Sequence, residues 1–511
     1  MAGLLDVALR RALAEVAESG GGSALRVARG AGGNTLRSVA QDDLSGPLRA
    51  WAEPSATREQ LASAGMLPVL PGDTRISSRF PTAVNAPDNP LRTQLGIDMR
   101  SYMQPTPRGD PFTHNMGLVT REPGFAKFAD MTPEQAYRGA AEQMAGNMQF
   151  IRQNAPPAFL ERSPHWYEGA NQISGALADR WGVPRQSASG ALAGLSPQKD
   201  WFQNVSNAER TGDILFGPAA SRGMTGEMQR IFPSIEGFKS KGNRDLFRQI
   251  QGKKLQDILR EPDGELKAAM WIRLYDEAHH SPFYRSITPE GMFGPHVLTD
   301  KNEPAKRAWN SNLEIAKAIT ALRSGGDMDI ISRSMGLANK VRSFYNNIEL
   351  PNERLFGDVT SDTHQVAAAH LRPLSGHSYA VAHNFGNSLD PKFQGPGWQG
   401  ASSSAFTGIK GTYPLYVDAA RQFAAQNAMV PRAGQSQAWE AVRELFPDTF
   451  KTKENMQVID NIWRAHDRGE LTLDQARRAI LNFAAPSGIA EPSWAQPGLA
   501  VSSPRRGSTY R

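Results

Sequence analysis

A chain of 511 residues without a single cysteine has to hold itself together without disulfide cross-links. Disulfides, thiolate nucleophiles, zinc fingers and cysteine-ligated iron–sulfur clusters are all excluded. Length compensates, since chains of this size divide into roughly two to four domains and bury sizeable cores. Hydrophobic content of 40% and charged content of 21% fit a globular protein, with neither a disorder nor a membrane signature. No apolar run approaches the roughly eighteen residues of a membrane span. Met1 to Glu15 reads as a short amphipathic helix carrying Asp6, Arg10 and Arg11, without the unbroken apolar stretch of a secretion signal. The expected compartment is the cytoplasm, and no membrane partner is expected.

The 47 Gly and 35 Pro are spread along the whole chain, so loops should interrupt helices throughout. Residues 1–60 read as a flexible arm. Residues 61–130, rich in Pro, Asn, Asp and Gly, read as an irregular wrap. Helical texture begins at Thr132-Pro133-Glu134-Gln135, a capping box with Pro at the first helical position. Helices follow at Tyr167–Trp181, Gln186–Leu195, Trp201–Leu215, Gly264–Ala278, Glu303–Arg323, Ala338–Asn347 and Asp362–Leu371, with a short strand near Tyr284–Thr288. After a Gly/Ser/Pro-rich loop at Gly386–Gly411, helices return at Tyr413–Gln426, Ser436–Leu445, Lys453–His466 and Leu473–Phe483. The expected fold class is mainly α. A core over 131–385 carries an insertion at about 216–300, a C-terminal helical module spans 386–485, and 486–511 forms a disordered tail.

Net charge is +6, a mild excess that favours polyanions. Between Arg222 and Arg260, nine Lys/Arg stand against four acids. Lys239, Lys241, Arg244, Arg248, Lys253 and Lys254 are the candidate phosphate contacts there, and each one used would release a counterion. A solvated helical face is the plainer alternative.

Three short motifs could carry chemistry. Leu195-Ser196-Pro197-Gln198 precedes a helix containing Trp201, Met335-Gly336-Leu337-Ala338-Asn339-Lys340 forms a tight turn, and Val359-Thr360-Ser361-Asp362-Thr363-His364 joins an extended stretch to a new helix. Asp362 falls at the N-cap, where its carboxylate can accept backbone N–H bonds at the mouth of a cleft. In this order the motifs resemble the helix–hairpin–helix DNA glycosylase superfamily, of which endonuclease III is a member. Leu195, Ser196 and Gln198 match its Leu-Ser-x-Gln turn, Gly336 and Lys340 its hairpin, and Asp362, Thr363 and His364 its Asp-Thr-His junction. The chain is also similar to an uncharacterised phage-borne group sharing the Leu-Ser-Pro-Gln, Lys-x-x-x-Phe-Tyr-x-Asn-Ile and Asp-Thr-His elements. One glycine stands in the hairpin where the family has two, Ala338 replacing the second.

The resemblance, over about residues 165–385, implies a two-lobed helical core that cleaves the N-glycosidic bond of a modified or mismatched base in DNA without a cofactor. It implies that Asp362 stabilises the oxocarbenium-like sugar and orients the nucleophile, and that Lys340 attacks C1′ in a glycosylase/lyase step. Gln198 would fill the gap left by the extruded base. Gly336 and Asn339, in the hairpin, would offer N–H groups to a phosphate. Trp166, Tyr167, Trp201 and Tyr345 are candidates for a stacking base pocket, or alternatively core.

Two further patterns carry less. Asp276-Glu277-Ala278-His279 spells a helicase-like signature, but the chain has no phosphate-binding Gly-x4-Gly-Lys-Ser/Thr loop. Arg273, Asp276 and His279 could instead form a polar patch. His364, His370, His377 and His383 are never four residues apart, so no single helix chelates zinc through them and no metal is expected. The rival to an enzyme is a non-enzymatic DNA-binding protein of a phage or mobile element, associated with the virion.

Overall fold

A computed structural model describes residues 110–235, 238–299, 301–335, 339–353, 357–376, 378–384 and 411–495. The expected N-terminal arm, most of the 61–130 wrap, the 386–410 loop and residues 496–511 lie outside the described residues. Helices dominate what is described. In chain order they are α1 (Pro111–Val119), α2 (Pro133–Asn154), α3 (Pro157–Glu161), α4 (Trp166–Trp181), α5 (Arg185–Gly194), α6 (Trp201–Phe216), α7 (Gly226–Ile231), α8 (Lys241–Ile250), α9 (Leu255–Ile258) and α10 (Gly264–His279). A hairpin of β1 (Arg285–Ile287) and β2 (Phe293–His296) follows, antiparallel, with Arg285 opposite His296 and Ile287 opposite Phe293. Then come α11 (Asn312–Arg323), α12 (Met328–Met335), α13 (Asn339–Glu349), α14 (Thr363–His370), α15 (Tyr379–Asn384), α16 (Tyr413–Gln426), α17 (Pro431–Leu445), α18 (Lys453–Asp467) and α19 (Leu473–Ala484).

Local capping chemistry decides where the helices begin. At α2 the Gln135 N–H donates to Thr132 Oγ1 at 3.3 Å while the Thr132 N–H donates to Gln135 Oε1 at 3.1 Å. Thr472 and Gln475 close the same reciprocal box at α19. The expected helix at Glu303–Arg323 is shorter than its apolar pattern. Pro304 lacks an N–H, residues 304 and 306 bridge instead to Leu298 and Phe283, and a Ser311/Glu314 capping box starts the helix only at Asn312. The 61–130 segment also holds an ordered element. Asp110 caps α1 through the Phe112 N–H (3.2 Å) and Pro111 takes the first helical position. Asp-Pro signals a turn as readily as a helix start, and nine residues carry too little periodicity to decide.

The chain forms two compact units, crossing between them at Tyr167/Glu168 and Pro351/Asn352. In the first unit, α2 is the central element, and α1, α14, α16 and α17 pack on it. Its buried Ala136, Ala140, Ala141 and Ala145 let neighbouring backbones come close. Two polar ties fix the register: Tyr137 Oη donates to Asp418 Oδ2 at 2.7 Å, and Asn147 Nδ2 to the Ala369 carbonyl at 2.8 Å. The C-terminal helices α16–α19 share this core with α1 and α2.

In the second unit α11 is central, flanked by α5 and α10. Every residue of α5 from Ser187 to Gly194 is buried. At Gly190 a Cβ would lie 2.9 Å from Ile331 Cγ2 and 3.0 Å from Ala321 Cβ, so the small residue is what lets α11 and α12 approach α5. Trp271 of α10 is wholly buried. The 216–300 segment belongs to this unit's core.

Candidate functional site

In the second unit, the turn between α5 and α6 is held by side chains from elsewhere. Asn310 Nδ2 donates to the carbonyls of Leu195 (2.9 Å) and Pro197 (3.2 Å). Lys340, at the start of α13 and 144 residues away, donates through Nζ to the Ser196 carbonyl (3.1 Å) and to Ser196 Oγ (2.8 Å). Three consecutive carbonyls are therefore satisfied by side chains. Asn207 steadies the first of these groups, its Nδ2 donating to Asn310 Oδ1 at 2.9 Å. The next residue, Gln198, is exposed and adopts φ of 56°, a left-handed conformation costly for a residue with a Cβ. The turn is a rigid mount presenting one amide outward.

Lys340 is buried, 8% exposed, with its amine 5.3 Å from the Phe344 ring centre. Trp201 meets Phe344 edge-on at 6.0 Å. Two of the expected aromatic and amine groups thus surround the turn. Tyr345 is fully buried, its hydroxyl 3.6 Å from the Met328 sulfur. Met335 ends α12 and is buried. Gly336, with Leu337 and Ala338, lies outside the described residues, and for Asn339 only the helical backbone is described.

Asp362 belongs to the first unit and is the N-cap of α14. Its Oδ1 accepts the N–H groups of His364 (2.9 Å) and Gln365 (3.0 Å). Its Oδ2 accepts the indole N–H of Trp439, from α17, at 3.0 Å. Trp439 is half-buried and collects the neighbours: Trp166 edge-on at 5.6 Å, His364 edge-on at 5.8 Å and the Arg443 guanidinium over its ring at 4.9 Å. Tyr167 packs edge-on against Trp166 and donates its hydroxyl to Gln435 Oε1 at 2.9 Å. Burial first, and then Arg443 and Lys451, hold the His364 imidazole well below its usual pKa, so it is neutral at pH 7. The cluster is a fixed carboxylate beside a neutral imidazole, an arginine and two indoles.

The basic segment 222–260 is less cationic than its composition. Arg230 pairs with Glu227, Arg248 with Asp245, Arg260 with Asp257 and Lys253 with Glu261. Lys239, Lys241, Arg244 and Lys254 are exposed and make no ion pair among the described residues. Arg273, Asp276 and His279, expected as a polar patch, each bond to other partners among the described residues. Arg273 pairs with Glu277 (2.9 Å), and His279 bonds Thr225 Oγ1 (2.9 Å). Asp276 is buried, ion-paired with Arg307 and within 2.9 Å of His280 Nδ1 and 3.2 Å of Trp309 Nε1. Desolvation pushes its carboxyl up, but Arg307, His280 and Arg210 outweigh this and hold its pKa down. His370 and His383 are buried, and His370 Nε2 lies 2.9 Å from Tyr416 Oη; His377 lies outside the described residues.

Sequence reasoning missed Asn310 and Trp439. Each acts across more than seventy residues of chain, and neither sits in a local pattern that marks it. Arg443 had a signal, lying four residues after Trp439 on one helix face. No curated protein and no solved structure matches the chain. One protein family matches, over residues 131–230: DUF7178, a family of unknown function, whose matched stretch includes the Leu195–Gln198 turn but neither Lys340 nor Asp362.

Proposed function

We propose that the chain is a DNA glycosylase that hydrolyses the N-glycosidic bond of a modified or mismatched base, with Asp362 as its catalytic carboxylate. The base would leave with the bonding electrons, and water would add to C1′, giving up a proton. The observation that carries this is the meeting of two distant motifs: Lys340 bonds directly to the turn that presents Gln198. Asp362 adds support. Three N–H groups fix its carboxylate at a helix N-terminus, the preorganisation that an oxocarbenium-like sugar calls for. A nucleophilic amine needs access and a free lone pair. The Lys340 amine is buried and donates twice to Ser196, so this reading makes the enzyme monofunctional, with Lys340 holding the turn.

The test is release of free base from duplexes carrying deaminated, oxidised or alkylated bases. Asp362→Asn should lower single-turnover release by about 10²-fold or more, and borohydride should trap no adduct with the wild-type chain. An adduct lost in Lys340→Ala would restore the amine as nucleophile. No base release from any lesion by the wild type, or undiminished release by Asp362→Asn, would remove this chemistry and leave a binding protein.

A further inference from the structure

We propose that an arginine-rimmed cleft in the first unit, apart from Asp362 and from the basic segment, binds a phosphate group. The cleft is open to solvent, has a volume of ≈ 460 Å³ between the loop after α1 and the C-terminal half of α18, and its charged lining is Arg121, Arg372, Arg464, Arg468, Asp460 and Asp467. That volume suits one phosphate together with the sugar or nucleoside that bears it.

Asp460 feels the charge of Arg464 as well as that of Arg372, but the bonds of both aspartates go to building the wall. Arg372 is buried and clamped between Glu122 and Asp460, with Nε 2.8 Å from Asp460 Oδ1. Asp467 Oδ2 accepts the Gly124 N–H at 2.8 Å and so pins the loop that carries Arg121. The rim is different. Arg464 is exposed and donates to the neutral Asn461 Oδ1 at 3.0 Å, and Arg121 is exposed; neither makes an ion pair among the described residues. Arg468 pairs with Glu470 at an exposed position, a pair that is weak in water and easily exchanged for a ligand. The charged groups of the wall are thus held by one another or by the backbone, and the guanidinium groups of Arg121 and Arg464 stand at its rim. Their planar geometry matches two phosphate oxygens at once. The phosphate could come from a nucleic-acid backbone or from a small phosphorylated molecule.

The experiment titrates the full chain with a short DNA duplex, followed by fluorescence anisotropy, and with inorganic pyrophosphate, followed by calorimetry. Arg121→Ala/Arg464→Ala should weaken whichever probe binds by about ten-fold or more, and for the duplex should reduce the slope of log K against log salt by about two. Both side chains are exposed, so unchanged melting should show that the fold is intact. Lys301→Ala/Lys306→Ala, two exposed cations outside the cleft and the basic segment, is the control and should leave pyrophosphate binding unchanged. Weakened duplex binding with no pyrophosphate bound by the wild type assigns the site to the nucleic-acid backbone. Weakened pyrophosphate binding with the duplex unaffected assigns it to a small phosphorylated molecule. Weakening of both assigns it to phosphate itself. Wild-type affinity for both probes in the double variant, or no binding of either by the wild type, would overturn the proposal. None of these outcomes depends on Asp362, whose chemistry the base-release assay reads separately.

Discussion

At the residue scale, the carboxylate of Asp362 is defined by what holds each oxygen. Two backbone N–H groups come free with the N-cap position, but the indole N–H on Oδ2 comes from Trp439, 77 residues on. Phe at 439 keeps most of the ring and removes that donor. On the proposed function, Trp439→Phe should lower the turnover of base release about ten-fold while leaving KM within two-fold, at a stability cost of about 1 kcal/mol for one hydrogen bond. Stability loss with unchanged turnover would make the indole a packing residue only. The N-cap role of Asp362 was legible because helix starts are local. The four candidate base-pocket aromatics all fall within the 165–385 stretch that carries the resemblance, and Trp439 lies outside it. Among the described residues the four also divide by unit, Trp166 and Tyr167 with Asp362, Trp201 and Tyr345 with Lys340.

At the element scale, the helices α4, α5, α6, α10, α16, α18 and α19 lie within one or two residues of where apolar spacing and caps put them. Short or interrupted elements were less legible. α12 has Asp327 as a cap, its Oδ1 accepting the N–H groups of Asp329 and Ile330, yet Gly325-Gly326 before it reads as a loop. The Leu195–Gln198 turn shows the same limit from the other side. Its residues stand out in the sequence, but the bonds that shape it come from Asn310 and Lys340. That separation gives a test that tells strain from stability. Glycine accepts positive φ without penalty, so Gln198→Gly should stabilise the protein by about 0.5–1 kcal/mol in chemical denaturation. The same variant should lose DNA affinity or base release, because the exposed amide is gone. A variant that is destabilised, or one as active as the wild type, would show that the turn presents nothing of use.

At the scale of the whole molecule, charge counted along the chain overstates charge available in the fold. Four of the nine cations in the basic segment are spent on acids three to eight residues away, and pairs of this exposed kind contribute at most about 1 kcal/mol each. Buried histidines have the larger energetic weight. Burial, and then the neighbouring His114, lowers the His383 pKa to about 4, against about 6.5 in an unfolded chain. The unfolded state therefore binds the proton first as pH falls. The stabilisation is complete above pH 6.5 and is lost progressively toward pH 4, amounting to roughly 3 kcal/mol. His370 acts in the same direction, held down by burial and then by Arg372 and His383. Burial raises Glu440, Glu444 and Asp460 in the same unit, and these acids oppose the trend because their stabilisation is lost as pH rises. The contribution of His383 is isolated by comparing wild type with His383→Asn in denaturant unfolding at pH 7 and pH 4. The variant should be less stable at pH 7 and should lose about 3 kcal/mol less on acidification. Parallel losses in the two proteins would mean that His383 protonates as readily in the folded chain as in the unfolded one.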